Sequence, residues 1–441
     1  MKNNKYEKLF ISSFDKSYSS TVNFIYPEKY RDLEKTFENH RSLITMGSNL
    51  SYSPVSFFEK SISIDFSKFN RILNFSKKKK EITIEAGVKI FDLLNYLLPQ
   101  GLWIPQLPGH PYISLGGAVA ANVHGKSSGI HGTIRNSIKS LLLFHKRHGW
   151  IELSNTKNKN LFDLTVGGLG LTGTIVSVTL KLQNFSYSNF LTKKFEVSSI
   201  QETIKYLKKY RSVKNLLLYS WNDASNLKNF GRGFVFINRP IEQSNNNRIK
   251  IKFKKNFKVL LPLWNRISSK IFNYFFFNIQ KYKKQEYKES FEKTIFPLGI
   301  NENYYNFYGK NGFIESQLII PPHVIENFFI EFKKYFVQYR PEIILFSFKN
   351  ISGIQKYIRF EGDGICVTFN FTRIKKNLNF LDKIDELCIK FGIIPSLIKD
   401  SRISKKIFDK CYTQADQFRD NLLKFDKNRI YQSEISKRLR I

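Results

Sequence analysis

The stretch from Leu107 to Lys126, LPGHPYISLGGAVAANVHGK, most constrains what this chain can fold into. Gly116, Gly117, Ala118, Ala120 and Ala121 carry almost no side chain, so something can approach the backbone closely there. Two partners fit. One is a bulky anion such as a pyrophosphate, reached by backbone N–H groups that larger side chains would block. The other is a neighbouring element, because small residues also mark close packing. Residue types alone leave both open. His124, Gly125 and Lys126 come next and bring ionisable groups to the same place.

A second glycine-rich run spans Gly167 to Gly173, GGLGLTG, and contains a literal GxGxxG at Gly168, Gly170 and Gly173. A dinucleotide fingerprint of the Rossmann kind must open a helix. The residues after Gly173, TIVSVTLKL, are β-branched and alternating, which predicts a strand. A Rossmann domain is therefore excluded.

With 441 residues, 42% of them hydrophobic, the chain is long enough for two or three domains with their own cores. Its formal charge of +35 favours anionic partners. The lysines are scattered and no nucleic-acid motif occurs, so nucleic acid is not an expected partner. Abundant Lys, Asn, Ile and Phe share A/T-rich codons, which explains much of the lysine excess. Cys366, Cys388 and Cys411 have neither CxxC nor metal spacing, so no disulfide framework and no metal is expected. The first residues lack the apolar core of a signal peptide, and no run of about 18 apolar residues occurs. The expectation is a cytoplasmic protein, at most peripheral on a membrane.

In chain order, Pro27 to His40 predicts a helix, Ser42 to Met46 a buried strand, and Gly47 to Tyr52 a small polar turn. Ser61 to Phe66 and Glu81 to Glu85 predict strands, with Lys77 to Lys80 as a solvated hairpin loop between them. Phe91 to Leu98 has helical spacing. Ser140 to Phe144 and Trp150 to Leu153 form a hairpin around His148 and Gly149. Asn245 to Asn247 marks a loop. Phe253 to Lys288 mixes apolar blocks with lysine clusters, and it reads either as a lid packed on the protein or as an amphipathic surface segment that touches a membrane. From Gly312 the pattern becomes FIESQLII, a helix over Val324 to Phe336, IILFSFK, ICVTFNF and a helix over Leu378 to Phe391. That is an antiparallel sheet backed by helices, an α+β layer.

Several motifs in fixed order carry a resemblance. They are MGSNLSY, PG…SLGGAVAANVHG, LFDLTVGGLGLTGTIVSVTLKL, Tyr308 to Phe313 (YGKNGF), Gln317 to Pro321, Gly364 to Val367, Lys399 to Arg402 and the tail EISKRLRI. Together they resemble the vanillyl-alcohol-oxidase/p-cresol-methylhydroxylase superfamily, and within it the FAD-linked sugar oxidases. The resemblance implies an α+β fold. It comprises a two-subdomain PCMH-type FAD-binding domain over residues 12–185 and a substrate domain over 186–395 with a variable segment at 245–300. A C-terminal segment, 396–441, returns to the flavin domain.

It also implies cofactor contacts from Gly47, Ser48, Asn49, Leu50, Ser51 and Tyr52, and from Pro108, Gly109, Gly116, Gly117, Ala121, Asn122 and Gly125. Gly170 and Gly173 would pass near the flavin and Val176 near the adenine end. Relatives that tether FAD use a His in the first turn; Leu50 stands there, so non-covalent FAD is expected. The first turn departs from the family in Met46 and Asn49, which replace Arg and a second Gly. Ser396 replaces a Tyr, and Glu315 a Gln.

Oxidising a secondary alcohol requires hydride transfer to the flavin and removal of the hydroxyl proton, with the protein positioning and deprotonating. Lys399 is the expected catalytic residue, desolvated beside an apolar ring, with Tyr308 and His124 beside it. Lys126, Trp221, Gln317, Lys349 and Cys366 match the family's substrate pocket. The expected function is oxidation of a polyprenyl-phosphate-linked pentose, half of an epimerisation completed by a partner ketoreductase, in envelope or glycan synthesis. The alternatives are an aldonolactone oxidase and, in a different class, a basic membrane- or nucleic-acid-binding protein without redox chemistry.

Overall fold

Short alternating runs at the start of the chain pair into a four-stranded sheet in the computed structural model, which describes residues 6–36, 42–242, 260–298 and 303–441. The strands are β1 (Glu7–Ser12), β2 (Ser19–Ile25), β3 (Leu43–Met46) and β4 (Ile62–Asp65), in the order β1-β2-β4-β3. β2 and β3 run parallel to β4. Ahead of β3, the helix Tyr30–Thr36 lies inside the expected one; residues 27–29 of that expectation are not helical, and 37–40 fall outside the described residues.

A second, antiparallel sheet holds β5 (Ile72–Ser76), β6 (Glu81–Glu85), β8 (Ile138–His145), β9 (Gly149–Ser154) and β10 (Thr174–Lys181), in the order β5-β6-β10-β8-β9. The lysine turn at 77–80 closes a hairpin as expected. Its first strand is β5, however, not Ser61 to Phe66, which belongs to the first sheet. β5 is an edge strand with an exposed front half, so it carries no alternating burial signal in the sequence. Gly167, Leu169, Gly170 and Gly173 all have positive φ and turn the chain directly into β10. A Cβ on Gly173 would stand 2.7 Å from the Phe144 carbonyl oxygen, so this glycine serves a tight strand entry.

Two short strands, β7 (Leu102–Trp103) and β11 (Gln183–Asn184), pair beside this layer. A third sheet holds β12 (Tyr187–Val197), β13 (Leu217–Asn222), β14 (Gly233–Glu242) and β15 (Glu286–Ser290), ordered β13-β14-β12-β15. A fourth holds β16 (Phe313–Ile320), β17 (Ile343–Ile351), β18 (Gly364–Thr372) and β19 (Ile394–Pro395), ordered β17-β18-β16-β19. The fold is α+β. The apolar face of the fourth sheet, including Leu318, Phe346, Val367 and Phe369, shares a core with helices Ile325–Tyr339 and Lys375–Phe391. Its other face carries Glu315, Gln317, Lys349, Thr368 and Asn370 beside a small apolar cluster that includes Ile319, Ile351 and Cys366.

The C-terminal residues reach back to the first sheet. The Leu43 N–H donates to the Ile430 carbonyl at 2.7 Å, and the Gln432 N–H donates to the Leu43 carbonyl at 2.8 Å. The loop between β17 and β18 docks on the N-terminal half of the chain: Arg359 donates through Nε to the Val166 carbonyl at 2.9 Å and pairs with the buried Asp163 at 3.0 Å. Of the segment from Phe253 to Lys288, residues 253–259 lie outside those described, as does the loop Asn245 to Asn247. The rest is an extended run, 260–264, the helix Arg266–Tyr282 and the start of β15.

Candidate active site

β3 ends in the loop Gly47 to Ser51, where Asn49 takes a left-handed conformation at φ +48°. Asn is among the residues other than Gly that tolerate this region best. Its side chain donates to the Ser12 carbonyl at 3.0 Å and fixes the loop. Among the described residues, no protein acceptor takes the backbone N–H groups of Gly47 to Ser51. Gly47, Ser48 and Leu50 border a cavity of about 230 Å³, also lined by Lys89, His110, Ser114 and Ser67. A Cβ on Gly47 would stand 2.0 Å from the Ser114 hydroxyl. Free amides, hydroxyls and a lysine around one cavity are the donor set of a pyrophosphate site.

The organising stretch contributes differently from the expectation. The Gly116 N–H donates to the Ala86 carbonyl at 2.7 Å, and a Cβ there would meet the Ala86 Cβ at 2.9 Å. The Ala121 N–H is held by the Gly117 carbonyl, and a Cβ on Gly125 would stand 2.1 Å from the Leu107 carbonyl oxygen. Gly116 and Gly125 are therefore packing glycines, and Gly116 and Ala121 offer no spare amide. The Gly117 N–H reaches only the Ser114 hydroxyl, at 3.4 Å, from the start of the helix Leu115–Ala120.

Pro108 is buried and Gly109 exposed, just before His110. Asn122, at φ +47°, donates to Glu361 at 3.3 Å while its Oδ1 is buried without a partner. A Cβ on Gly170 would lie 3.6 Å from the Ile44 side chain. The Val176 carbonyl already accepts the Ala86 N–H at 2.9 Å, so that acceptor is used within the protein.

The second half of the site is the polar face of the fourth sheet. Antiparallel register sets Glu315 opposite Asn370, Gln317 opposite Thr368 and Lys349 opposite Cys366. Lys399 Nζ lies 3.3 Å from Glu315 Oε1 and 3.6 Å from the centre of the Tyr52 ring. Tyr52 thus sits under the lysine rather than in the cavity beside Gly47, and its hydroxyl donates to Tyr305 at 3.1 Å. Glu315 Oε2 accepts from Asn370 at 2.9 Å. The Asn370 Oδ1 in turn accepts from Tyr304, whose hydroxyl is 3.1 Å from that of Tyr308. Tyr308 is buried, and burial holds its hydroxyl well above the usual phenol range. It belongs to a positioning network behind the lysine.

Gln317 donates through Nε2 to Thr368 at 2.9 Å, which turns its carbonyl oxygen toward His124 Nε2 at 3.2 Å. His124 therefore carries its hydrogen on Nε2, and its Nδ1 lone pair is buried without a protein partner. Burial, then the Lys349 charge, holds this imidazole well below its ordinary pKa, so it is neutral. Lys126 is also held well below the usual lysine range, by burial and then by Lys349. Its Nζ donates to the carbonyls of Thr294 and Ile295 and lies 4.3 Å from the Tyr219 ring centre. Lys349 is lowered by burial, and burial pushes the Cys366 thiol up to about 11.

Trp221 stands apart from this face. It packs against Phe276 of the helix Arg266–Tyr282, at 4.6 Å between ring centres. The residues that sequence reasoning missed are Lys89, His110, Tyr304 and Asn370. Asn370 had a signal, since polar residues at every second position of an otherwise apolar strand mark one face. Lys89 had none among so many lysines.

Residues 24–154 match the FAD binding domain family. The chain is 26% identical over 423 residues to decaprenylphosphoryl-beta-D-ribose oxidase of Mycolicibacterium smegmatis, covering 92% of this chain and 90% of that protein. It is 28% identical over 203 residues to the mitochondrial L-galactono-1,4-lactone dehydrogenase of Arabidopsis thaliana, covering 45% and 32% of the two chains. With mouse (Mus musculus) L-gulonolactone oxidase the identity is 32% over 119 residues, 27% of each.

The chain is an FAD-dependent oxidoreductase. The residues present fit the cofactor: the Gly47 cradle, the unpaired loop amides and the cavity between them suit its pyrophosphate. Among the described residues of the enzyme, no cluster suits a metal ion, and no helix is long and apolar enough to cross a membrane.

Proposed function

We propose that the enzyme oxidises a secondary alcohol on a polyprenyl-phosphate-linked pentose. The observation that carries this is the lysine-rich face of the site: Lys349, Lys399 and Lys126 gather on or beside the polar side of β16, β17 and β18, with the neutral His124 between them and Gln317. A phosphodiester substrate brings the negative charge such a face accommodates, whereas an aldonolactone is neutral. Full-length similarity to the mycobacterial ribose oxidase supports the same reading.

FAD, held non-covalently because Leu50 offers no tethering nucleophile, supplies the hydride acceptor when bound. Lys399 holds the hydroxyl oxygen of the substrate. As the C–H hydride leaves, Lys399 passes one of its ammonium protons to the Glu315 carboxylate, its partner at 3.3 Å, and takes the O–H proton in its place, so that Glu315 ends protonated. Gln317 and Lys349 orient the sugar and its phosphate, and Cys366 lines the floor. The product is a keto-sugar still linked to its phosphate, which a partner ketoreductase would reduce to the epimer. A lipid-linked substrate would bring the enzyme to the face of a membrane.

Anaerobic flavin reduction against a panel of polyprenyl-phosphate pentoses and aldonolactones tests this. Bleaching by the phosphopentose and not by the lactones is expected. Bleaching by a lactone alone would assign the enzyme to the alternative.

A further inference from the structure

The helix Arg266–Tyr282 has its polarity reversed. Ser269 and Asn273 are buried, while Ile267, Ile271, Tyr274, Phe275, Ile279 and Tyr282 are each more than half exposed. At 100° per residue these six side chains occupy one continuous outer arc, the opposite of a helix that buries its apolar stripe. The orientation is fixed from within. Asn273 donates to the buried Asp223 at 2.9 Å, Arg232 stacks on the Phe277 ring at 4.3 Å, and an Asn265–Ser268 capping box closes the first turn. Rolling the apolar arc inward would break the first two of these contacts.

The arc continues into the exposed Leu260, Leu261 and Leu263. Around it stand six exposed cations, Arg266, Lys270, Lys281, Lys283, Lys284 and Lys288, against one acid, Glu286. Apolar side chains ringed by cations match an anionic lipid headgroup layer above acyl chains.

The geometry points to this helix, with the run 260–264, as a surface that seats the enzyme in the outer few ångströms of an anionic bilayer. The surface is tied to the site. The N–H groups of Leu263 and Trp264 both donate to the Phe307 carbonyl, and Trp264 Nε1 donates to the Tyr304 carbonyl at 2.9 Å. Tyr304 in turn joins the network behind Lys399. A lipid-linked sugar could then be oxidised while its chain stays in the bilayer. This last point rests on the proposed substrate; the docking itself does not.

The holoenzyme is sedimented with phosphatidylcholine vesicles, with and without phosphatidylglycerol, at low and high salt. Binding to the anionic vesicles, weakened by salt, is expected. Ile271→Ser/Phe275→Ser/Ile279→Ser should lose about tenfold or more of it with flavin content unchanged. Each of Lys270→Gln and Lys281→Gln should weaken it roughly fivefold. Equal recovery of wild type with neutral and anionic vesicles would overturn the inference. So would a triple variant that binds like wild type, or a wild-type dimer that the triple variant disperses without any vesicle binding. Flavin reduction by a water-soluble short-chain substrate is read separately, so failure of docking and failure of the proposed chemistry are distinguishable.

Discussion

Replacing Lys399 by Met removes the ammonium and keeps most of the volume, and the surroundings fix what that should do. Glu315 is 6% exposed and Lys399 27% exposed, so the substitution strands an enclosed carboxylate. Breaking a fully buried pair costs about 3–5 kcal/mol, and solvent at the lysine end brings this toward about 2 kcal/mol. The cation 3.6 Å from the Tyr52 ring adds about 1 kcal/mol. Lys399→Met should therefore lose roughly 2–3 kcal/mol of stability and still fold and bind FAD. Lys399→Met/Glu315→Gln should recover most of that loss, because Gln keeps an acceptor for Asn370 and has no charge to strand. Neither variant can move the substrate proton, so both should reduce flavin slower by a factor of about 10²–10⁴. Denaturant melts give the stabilities, and anaerobic stopped-flow bleaching gives the rates. A single variant within a few-fold of wild type, or a double variant that regains the rate along with stability, would refute the catalytic assignment.

The geometry sets three further outcomes. Gly47→Ala sets a Cβ against the Ser114 hydroxyl and should empty the flavin site of folded protein, read as the absorbance ratio of flavin to protein; normal occupancy would remove this loop from the cofactor site. Acid precipitation should release all flavin to the supernatant, and colour retained in the pellet would contradict a non-covalent cofactor. Burial would raise the Asp163 carboxyl, but hydrogen bonds from Lys356, Arg135 and Arg359 outweigh it and hold the carboxyl at about 2. Its contribution, about 2 kcal/mol, is then complete above the unfolded value near 4 and is lost as pH falls toward 2. Asp163→Asn should flatten that acid limb of a stability–pH profile, and an unchanged limb would assign acid sensitivity to other groups.

Local pattern made much of this protein legible. The strand after Gly173 excluded a Rossmann helix from β-branched alternation alone, and the helix-backed sheet from Gly312 onward appeared in the order the sequence predicts. His124, Gln317, Cys366 and Lys399 fall in the ordered motifs and, with Lys349, meet on one face of the fold. The pairing of Ile72–Ser76, an exposed edge strand, left no pattern to read.

Tertiary structure alone decided what the small residues are for. Composition cannot distinguish an anion cradle from a packing seam, because both require only that no Cβ be present. The difference lies in where each N–H goes: that of Gly116 is taken by Ala86, 30 positions earlier in the chain, while those of Gly47 to Ser51 find no acceptor among the described residues. The reversed helix has the same origin. Its apolar residues are plain in the sequence, but which side faces water was set by Asp223 and Arg232, partners that only folding brings to it.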